Sequence, residues 1–174
     1  MKVFSLTLVA MVFTSTMLAQ GDIIQLIQKR YHKTRSELQS YHPKSPNNFE
    51  SPLDSDLNNS MEEEQLVAYE SEQGVALIIA DYLSGEGKST AEFYYHENEV
   101  YLIVKRTEQY NAPISATDFD ESQASSSEVR HYFDDGNMIR SVGTDGNVLL
   151  YDSSATQRLQ LNLIREARKV FQVF

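Results

Sequence analysis

The stretch AEFYYHENEVYLIV, residues 91–104, decides the fold of this chain. Two runs of aromatic and aliphatic residues flank a short polar turn at residues 96–99. Side chains alternate across a strand, so Val100, Leu102 and Val104 share one face. A turn this short joins antiparallel neighbours, because parallel strands need a crossover of a dozen or more residues. The stretch therefore predicts an antiparallel β-hairpin.

The same alternation extends outward from this hairpin, from Gln65 to Tyr151. It predicts six strands, or seven if a last short segment is counted. The predicted strands cover residues 65–70, 75–82, 89–95, 99–107, 127–133 and 137–142, with the last segment at 147–151. Most connections are short and several carry Asp-Gly, which favours the backbone of tight hairpins. We therefore expect a meandering, mostly antiparallel sheet.

One connection, residues 108–126, is much longer than the others and holds Pro113, several acidic residues and a serine cluster. Connections of this length are uncommon in a compact domain and are either functional or disordered. The sequence leaves both interpretations open.

Helical patterns flank the strand region on both sides. Residues 22–42 have apolar side chains at helical spacing, and Asp22 with Gln25 predicts a capping box at the start. Pro43 predicts the end, because the residue before a proline is pushed out of the α region. The C-terminal residues predict a second amphipathic helix, capped by Asp152, Ser153 or Ser154.

These elements predict an α+β fold, with the C-terminal helix and the N-terminal helix packed on the sheet. Residues 20–42 form the N-terminal helix and residues 65–174 the sheet with its C-terminal helix, in one globular domain. Residues 43–64 hold three prolines and many Ser, Asn and Asp residues without periodicity, which predicts a flexible linker.

The first nineteen residues predict a secretory signal peptide. Lys2 supplies the positive charge, and an apolar run of suitable length follows it. A retained membrane anchor is the alternative, but a spanning helix needs about 20 predominantly apolar residues. We therefore expect a secreted protein of the periplasm or cell surface of a bacterium, without stable membrane insertion once the signal is removed.

Composition narrows the possible partners. The chain carries a formal net charge of −10 and has no cysteine. An acidic chain repels phosphate backbones, which argues against a nucleic-acid partner. Without cysteine there is no disulfide, so the domain must be held together by its hydrophobic core.

The strand region repeats a weak pattern three times: an aromatic strand end, a turn, and an apolar return strand. The copies centre on Ala68-Tyr69, Tyr94-Tyr95 and Tyr132-Phe133. With EVRHYFDDGNMIRSV beside the opening stretch, the chain resembles a group of uncharacterised secreted bacterial proteins with aromatic hairpin repeats. These hairpins are weakly similar to variant MORN repeats, although the spacing is uneven and the second turn lacks glycine. The resemblance implies no activity and no catalytic residues.

Motifs for catalysis, cofactors and metals are weak. GEGKST at residues 85–90 ends like a phosphate-binding loop, but Tyr82 stands where the motif needs glycine, and a strand follows instead of a helix. It predicts a hairpin turn. The histidines lack metal-ligand spacing and no serine sits in a nucleophile elbow. We predict no catalytic, cofactor-binding or metal-binding residue.

Tyrosine is the unusual residue, with ten copies and no tryptophan. Exposed tyrosines on a sheet are a binding surface, and Tyr82, Tyr94, Tyr101 and Tyr132 are the candidates for one. The other interpretation is that these side chains form cross-strand pairs and lie under the helices. The sequence favours the second interpretation without excluding the first.

These observations together predict a non-catalytic secreted binding module whose partner is a protein or glycan of the cell envelope. Two alternatives remain: an inhibitor-like accessory protein of an envelope enzyme, and a secreted hydrolase whose site is assembled in space. A hydrolase predicts a deep pocket with convergent polar groups of perturbed pKa. A binding module predicts a flat or concave face without them.

Overall fold

The computed structural model describes residues 4–46, 61–149 and 152–174. Within them the chain forms helix α1 (Phe4–Glu37), seven strands and helix α2 (Ser153–Phe171). The strands are β1 (His42–Lys44), β2 (Met61–Ser71), β3 (Gly74–Ser84), β4 (Gly87–His96), β5 (Glu99–Gln109), β6 (Ser125–Asp134) and β7 (Asn137–Val142). They form one antiparallel sheet in chain order. The predicted α+β fold is confirmed.

The stretch at residues 91–104 forms the centre of this sheet, as the hairpin of β4 and β5. Phe93 pairs with Ile103, and Tyr94 pairs with Leu102. Alternation then sends neighbouring side chains to opposite faces. Phe93 joins the apolar cluster under α2, whereas Tyr94 joins the cluster under α1.

The sequence repeat corresponds to three hairpins with the same irregularity. In β2–β3, β4–β5 and β6–β7 the return strand carries one extra residue shortly after the turn: Ala76, Tyr101 and Ile139, respectively. Such a bulge increases the local twist of a strand pair. The three hairpins therefore share the position of a bulge. At Tyr101 this bulge turns Val100 towards the α2 face, so the predicted common face of Val100, Leu102 and Val104 is wrong.

The second hairpin forms its tight turn without glycine. Glu97 and Asn98 both have positive φ, 53° and 66°, as do Asp135 and Gly136 in the third hairpin at 48° and 71°. Positive φ at both central residues is the requirement of a type I′ turn. Asn98 tolerates that conformation better than most residues, so the missing glycine does not change the hairpin.

Each face of the sheet is covered by one helix, so the domain has three layers. On α1, Ile24, Ile27 and Thr34 are buried at helical spacing, with Tyr31 packed between them. On α2, Leu163, Ala167 and Val170 are buried. The Asp152 carboxylate caps α2 by accepting a hydrogen bond from the Ala155 N–H at 2.8 Å, as predicted.

The beginning of α1 differs from the prediction. The helix is continuous from Phe4, so Asp22 lies in its interior and the predicted capping box at Asp22 and Gln25 does not form. An aspartate caps a helix only at the residue where the chain enters the helix. Asp22 lies well inside α1, so its side chain has no such role. None of the helices in the described ranges is long and apolar enough to cross a membrane.

The seventh strand is also not the predicted one. Residues 147–149 contribute a single bridge, Val142 to Val148, and residues 150–151 of the predicted segment lie outside the described residues. The seventh strand is β1, which pairs with β2 at the edge of the sheet and contains Pro43 opposite Tyr69. Proline is tolerated in an edge strand because its missing N–H would not be used there.

The predicted linker is consequently shorter than expected. Lys44 belongs to β1, and β2 begins at Met61, so both ends of the predicted linker at residues 43–64 are strand. Residues 47–60 of that linker lie outside the described residues, as do residues 1–3 of the predicted signal peptide.

The long connection between β5 and β6 is folded on itself and on the β3–β4 turn. The Asn111 amide donates to the Asp118 carbonyl and accepts from the Asp120 N–H. The N–H groups of Tyr110 and Ile114 donate to the carbonyls of Glu86 and Gly85. The GEGKST segment is therefore the predicted hairpin turn, with its backbone carbonyls engaged by this connection.

Candidate functional site

The four tyrosines predicted as a candidate binding surface do not form an exposed face. Tyr94, Tyr101 and Tyr132 are at most 5% exposed and lie under α1. Tyr82 lies on the opposite face, partly buried beside α2. The burial of Tyr94, Tyr101 and Tyr132 fits the interpretation that the sequence favoured, in which the tyrosines lie under the helices, and it does not fit an exposed binding surface.

Tyr94 and Tyr101 instead pack α1 against the sheet. The Tyr94 ring lies 5.1 Å from that of Tyr31, and the Tyr101 hydroxyl lies 3.5 Å from that of Thr34. The Tyr94 hydroxyl donates to Glu92 at 2.6 Å. Burial first, and then the Glu92 charge, raise the pKa of Tyr94, so this hydroxyl stays a donor.

Glu92 begins a chain of ion pairs that crosses three strands on the α1 face. It is 3% exposed, and its Oε1 accepts from Arg106 at 2.7 Å and from Arg35 of α1 at 3.3 Å. Arg106 also donates through Nε to Glu128, at 2.6 Å. Glu128 in turn accepts from Nε of Arg130, at 2.6 Å. Charged groups, rather than apolar side chains, therefore fill this half of the α1 face.

The network ends at an open cleft of about 350 Å³ between α1, strands β6 and β7 and the turn that follows β7. We call it the arginine cleft. Its polar side chains are Gln28, Glu128, Arg130, Tyr132, Arg140 and Thr144. Ile24 and Val142 supply its apolar wall. Pockets of this volume are within the range that binds small ligands.

The carboxylate in the arginine cleft is already neutralised. Burial alone would raise the pKa of Glu128, but hydrogen bonds from Arg130 and Arg106 outweigh it and hold the pKa below its usual value. Arg130 is fixed from its other side as well, with its guanidinium carbon 5.6 Å from the centre of the Tyr31 ring. Both groups therefore stay charged, and the lowered pKa makes Glu128 a weak general base at neutral pH.

Arg140 is the unbalanced charge of the cleft. It is exposed and has no hydrogen bond or ion pair within the described residues. Its cross-strand partner is Tyr132, whose buried side chain lines the cleft and makes no hydrogen bond among those residues. The unused groups of the cleft are therefore mainly hydrogen-bond donors beside a positive charge, in a protein whose net charge is −10.

A buried Ser–His pair lies on the other face of the sheet, which the sequence did not suggest. The register places His131 opposite Ser141, and their side chains lie 2.9 Å apart. Burial, and then the Lys105 charge, lower the pKa of His131 to about 4. Both residues are at most 4% exposed and neither lines the arginine cleft, so the pair has the geometry of a core contact.

Two further hollows flank the turn between β2 and β3, with volumes of about 130 and 560 Å³. Both include Lys33, Tyr41, Ser71 and Gln73. Their charges are mixed in sign, because Glu37, Glu70 and Glu72 also line the larger one. The smaller hollow is lined by Arg30, Lys33 and Glu97, so its charges resemble those of the arginine cleft. It differs because none of its described lining residues takes part in an ion pair, whereas the network from Glu92 leads into the arginine cleft.

Sequence reasoning missed Arg130 and Arg140 as site residues. The predicted strands at 127–133 and 137–142 already contained both, and the turn between them sets the register that puts Arg140 beside Tyr132. What the sequence did not reveal is the path of α1, which closes one side of the cleft with Ile24 and Gln28.

Within the described residues, no group of three or more His, Asp or Glu side chains is arranged to hold a metal ion. No protein-family model matches the chain, and neither a curated protein nor a solved structure matches it. The similarity of the hairpins to variant MORN repeats therefore stays a prediction.

Proposed function

We propose that this protein is a non-catalytic secreted binding module that recognises a negatively charged group in the arginine cleft. The observation that carries the proposal is Arg140, whose guanidinium lines an open cleft and has no partner within the described residues, beside other free groups that are mainly donors. Arginine presents its N–H groups as a planar fork, which suits oxyanion recognition. The cleft replaces the tyrosine surface as the proposed contact for a partner.

The chemistry of the cleft supports binding rather than hydrolysis. A hydrolase needs a nucleophile or a general base with a pKa near the working pH. Among the described residues that line the cleft, the carboxylate is Glu128, which has a lowered pKa and two arginine partners. The Thr144 hydroxyl is engaged by the backbone of Glu128 at 2.7 and 3.2 Å. Among the described residues that line the cleft, neither Glu128 nor Thr144 is therefore arranged for hydrolysis, which supports binding over the hydrolase alternative.

The location of the protein is part of the same proposal. Residues 1–19 have the pattern of a secretory signal, and the absence of cysteine suits a domain held by packing in any redox environment. The partner would then be a component of the bacterial envelope, a glycan or a protein. An inhibitor-like accessory protein remains the other binding role, and it would require a partner enzyme.

Thermal shift with small anions tests the proposal. A ligand that binds the folded protein raises its melting temperature with increasing concentration. We expect a saturable rise with carboxylate compounds that disappears in Arg140→Gln. Arg165→Gln is the matched control, because Arg165 is an exposed arginine on α2, across the sheet from the cleft.

Two results would contradict the proposal. One is an equal thermal shift in the Arg140→Gln and Arg165→Gln variants, which would place binding outside the cleft. The other is turnover of an ester, peptide or glycoside substrate by the purified protein, which would restore the hydrolase alternative.

A further inference from the structure

We infer that the arginine cleft binds the carboxylate of an acidic sugar, a hexuronate residue of a glycan. This inference rests on the proposed binding function and names its ligand class. It follows from four properties of the cleft. They are its unused hydrogen-bond donors, the guanidinium of Arg140, the hydrogen-bonded backbone of the turn after β7, and the polar lining.

The surplus of donors requires a ligand rich in acceptors. Arg140 and the Gln28 amide make no hydrogen bond within the described residues, and Tyr132 likewise has a free hydroxyl there. Arg130 uses Nε for Glu128 and keeps its terminal nitrogens. The acceptor that could have satisfied these donors, Glu128, is already held by two arginines. An oxyanion supplies the missing acceptors.

The arrangement of the two arginines places both near one anionic group. Arg140 lies opposite Tyr132, and Arg130 is two residues before Tyr132 on the same face of β6. Diagonal neighbours of this kind are about 7–8 Å apart in the backbone. Long side chains span that separation, so a carboxylate bound in the Arg140 fork is also within reach of the Arg130 charge.

The turn after β7 disfavours a phosphate group. Three of its N–H groups are used internally: that of Gly146 donates to the Gly143 carbonyl, that of Gly143 to the Asn147 carbonyl, and that of Asn147 to the Asp145 carboxylate. Phosphate sites normally draw on free backbone N–H groups. The Asp145 carboxylate lies beside Gly143 of this turn and adds negative charge nearby, which disfavours a dianion more than a monoanion. A carboxylate fits this environment better.

The remaining lining favours a sugar ring over a peptide. Apart from Ile24 and Val142, the cleft is polar, and Gln28 presents an amide with both a donor and acceptors. A peptide side chain would gain little from so small an apolar wall. Ring hydroxyls, in contrast, can pair with the amide and with the Tyr132 hydroxyl. The open cleft also leaves space for a glycan to continue on either side.

Isothermal titration with a trimer of galacturonic acid tests this inference. The comparison ligands are the methyl-esterified trimer, which is neutral, and inorganic phosphate. We expect binding of the acid trimer and at least tenfold weaker binding of its ester, because a charge-assisted bidentate pair contributes more than a neutral hydrogen bond. Arg140→Gln should weaken the acid trimer by tenfold or more, whereas Arg165→Gln should not.

Arg140→Lys tests whether the forked N–H groups of the guanidinium matter in addition to its positive charge. Lysine keeps the positive charge but cannot bind a carboxylate through two parallel N–H groups. We expect it to retain less than a third of the affinity. Equal affinity for the acid trimer and its ester, or equal affinity in Arg140→Gln, would overturn the inference.

The failure of the inference differs from the failure of the proposed function. If phosphate or a carboxylate peptide binds and the binding depends on Arg140, the ligand class is wrong but the cleft is still the binding site. If no anion binds in an Arg140-dependent manner, both the ligand class and the proposed site are wrong.

Discussion

Glu92 and Phe93 are adjacent in the chain and lie on opposite faces of the sheet, where they belong to two different kinds of interior. Phe93 is fully buried among apolar side chains beneath α2. Glu92 is almost as buried, yet it joins an ion-pair network beneath α1 that ends at an open cleft. The two interiors therefore differ in role. Apolar packing under α2 stabilises the fold, and the charged half of the α1 face leaves polar groups available for recognition.

The largest effect should come from the apolar face. Phe93→Ala removes a fully buried ring, and such substitutions destabilise by about 3–5 kcal/mol. Chemical denaturation should show this loss at both low and high salt, because no charge is involved. A loss that changes strongly with salt would show that the α2 face depends on charges after all.

The next largest effect on stability should come from the buried His131, which also lies on the α2 face. The pKa of His131 falls from 6.5 in a model peptide to about 4 in the fold. The unfolded chain therefore binds a proton more readily, and stability falls as pH drops from 6.5 to 4, by about 3 kcal/mol at about 1.4 kcal/mol per unit. Above pH 6.5 this contribution to stability is constant.

His131→Asn is the comparison for this pH dependence. Its unfolding free energy should change less between pH 6.5 and pH 5 than that of the natural protein, whatever its absolute stability. Parallel pH profiles for the two proteins would contradict the lowered pKa of His131.

A smaller effect should come from the charged face. Glu92→Gln leaves Arg35 and Arg106 without their shared carboxylate, but both arginines are more than a third exposed and can be hydrated. We expect a loss of about 2 kcal/mol, below the cost of orphaning a fully buried charge. Denaturation in 1 M salt should reduce the difference between variant and natural protein, since ions screen partly exposed pairs. A loss of stability that does not change with salt would mean that solvent ions do not reach these ion pairs.

The smallest effect on stability should come from Arg140→Gln. Arg140 is exposed and unpaired within the described residues, and surface substitutions of this kind change stability by less than about 0.5 kcal/mol. The melting temperature without ligand should therefore match that of the natural protein. A marked destabilisation would assign Arg140 a structural role and weaken its assignment to recognition.

Most of the fold could be predicted from local patterns. The alternation around residues 91–104 and the short turns determine an antiparallel meander, and Asp152 marks the start of α2. The errors have long-range causes. The edge strand around Pro43 depends on pairing with Tyr69, which is distant in sequence. The cap expected at Asp22 depended on where the helix begins, which a local motif does not determine.

The candidate site was much less predictable, for a related reason. The sequence identified tyrosines as unusual but could not show that helices cover both faces of the sheet. Arg140 had no distinguishing motif, since a single arginine in a strand is typical of an exposed position. Its significance comes from its lack of an ion-pair partner within the described residues and from the path of α1, and both are properties of the folded chain.

The central claim is that the charged half of the α1 face serves recognition, whereas the apolar clusters on the two faces stabilise the fold. Backbone amide chemical shifts, recorded by NMR during titration with the galacturonic acid trimer, test it most directly. We predict saturable shifts confined to residues 24–28, 128–132 and 140–146, with amides of α2 unmoved. Shifts centred on α2, or on the turns between strands far from the arginine cleft, would contradict this division.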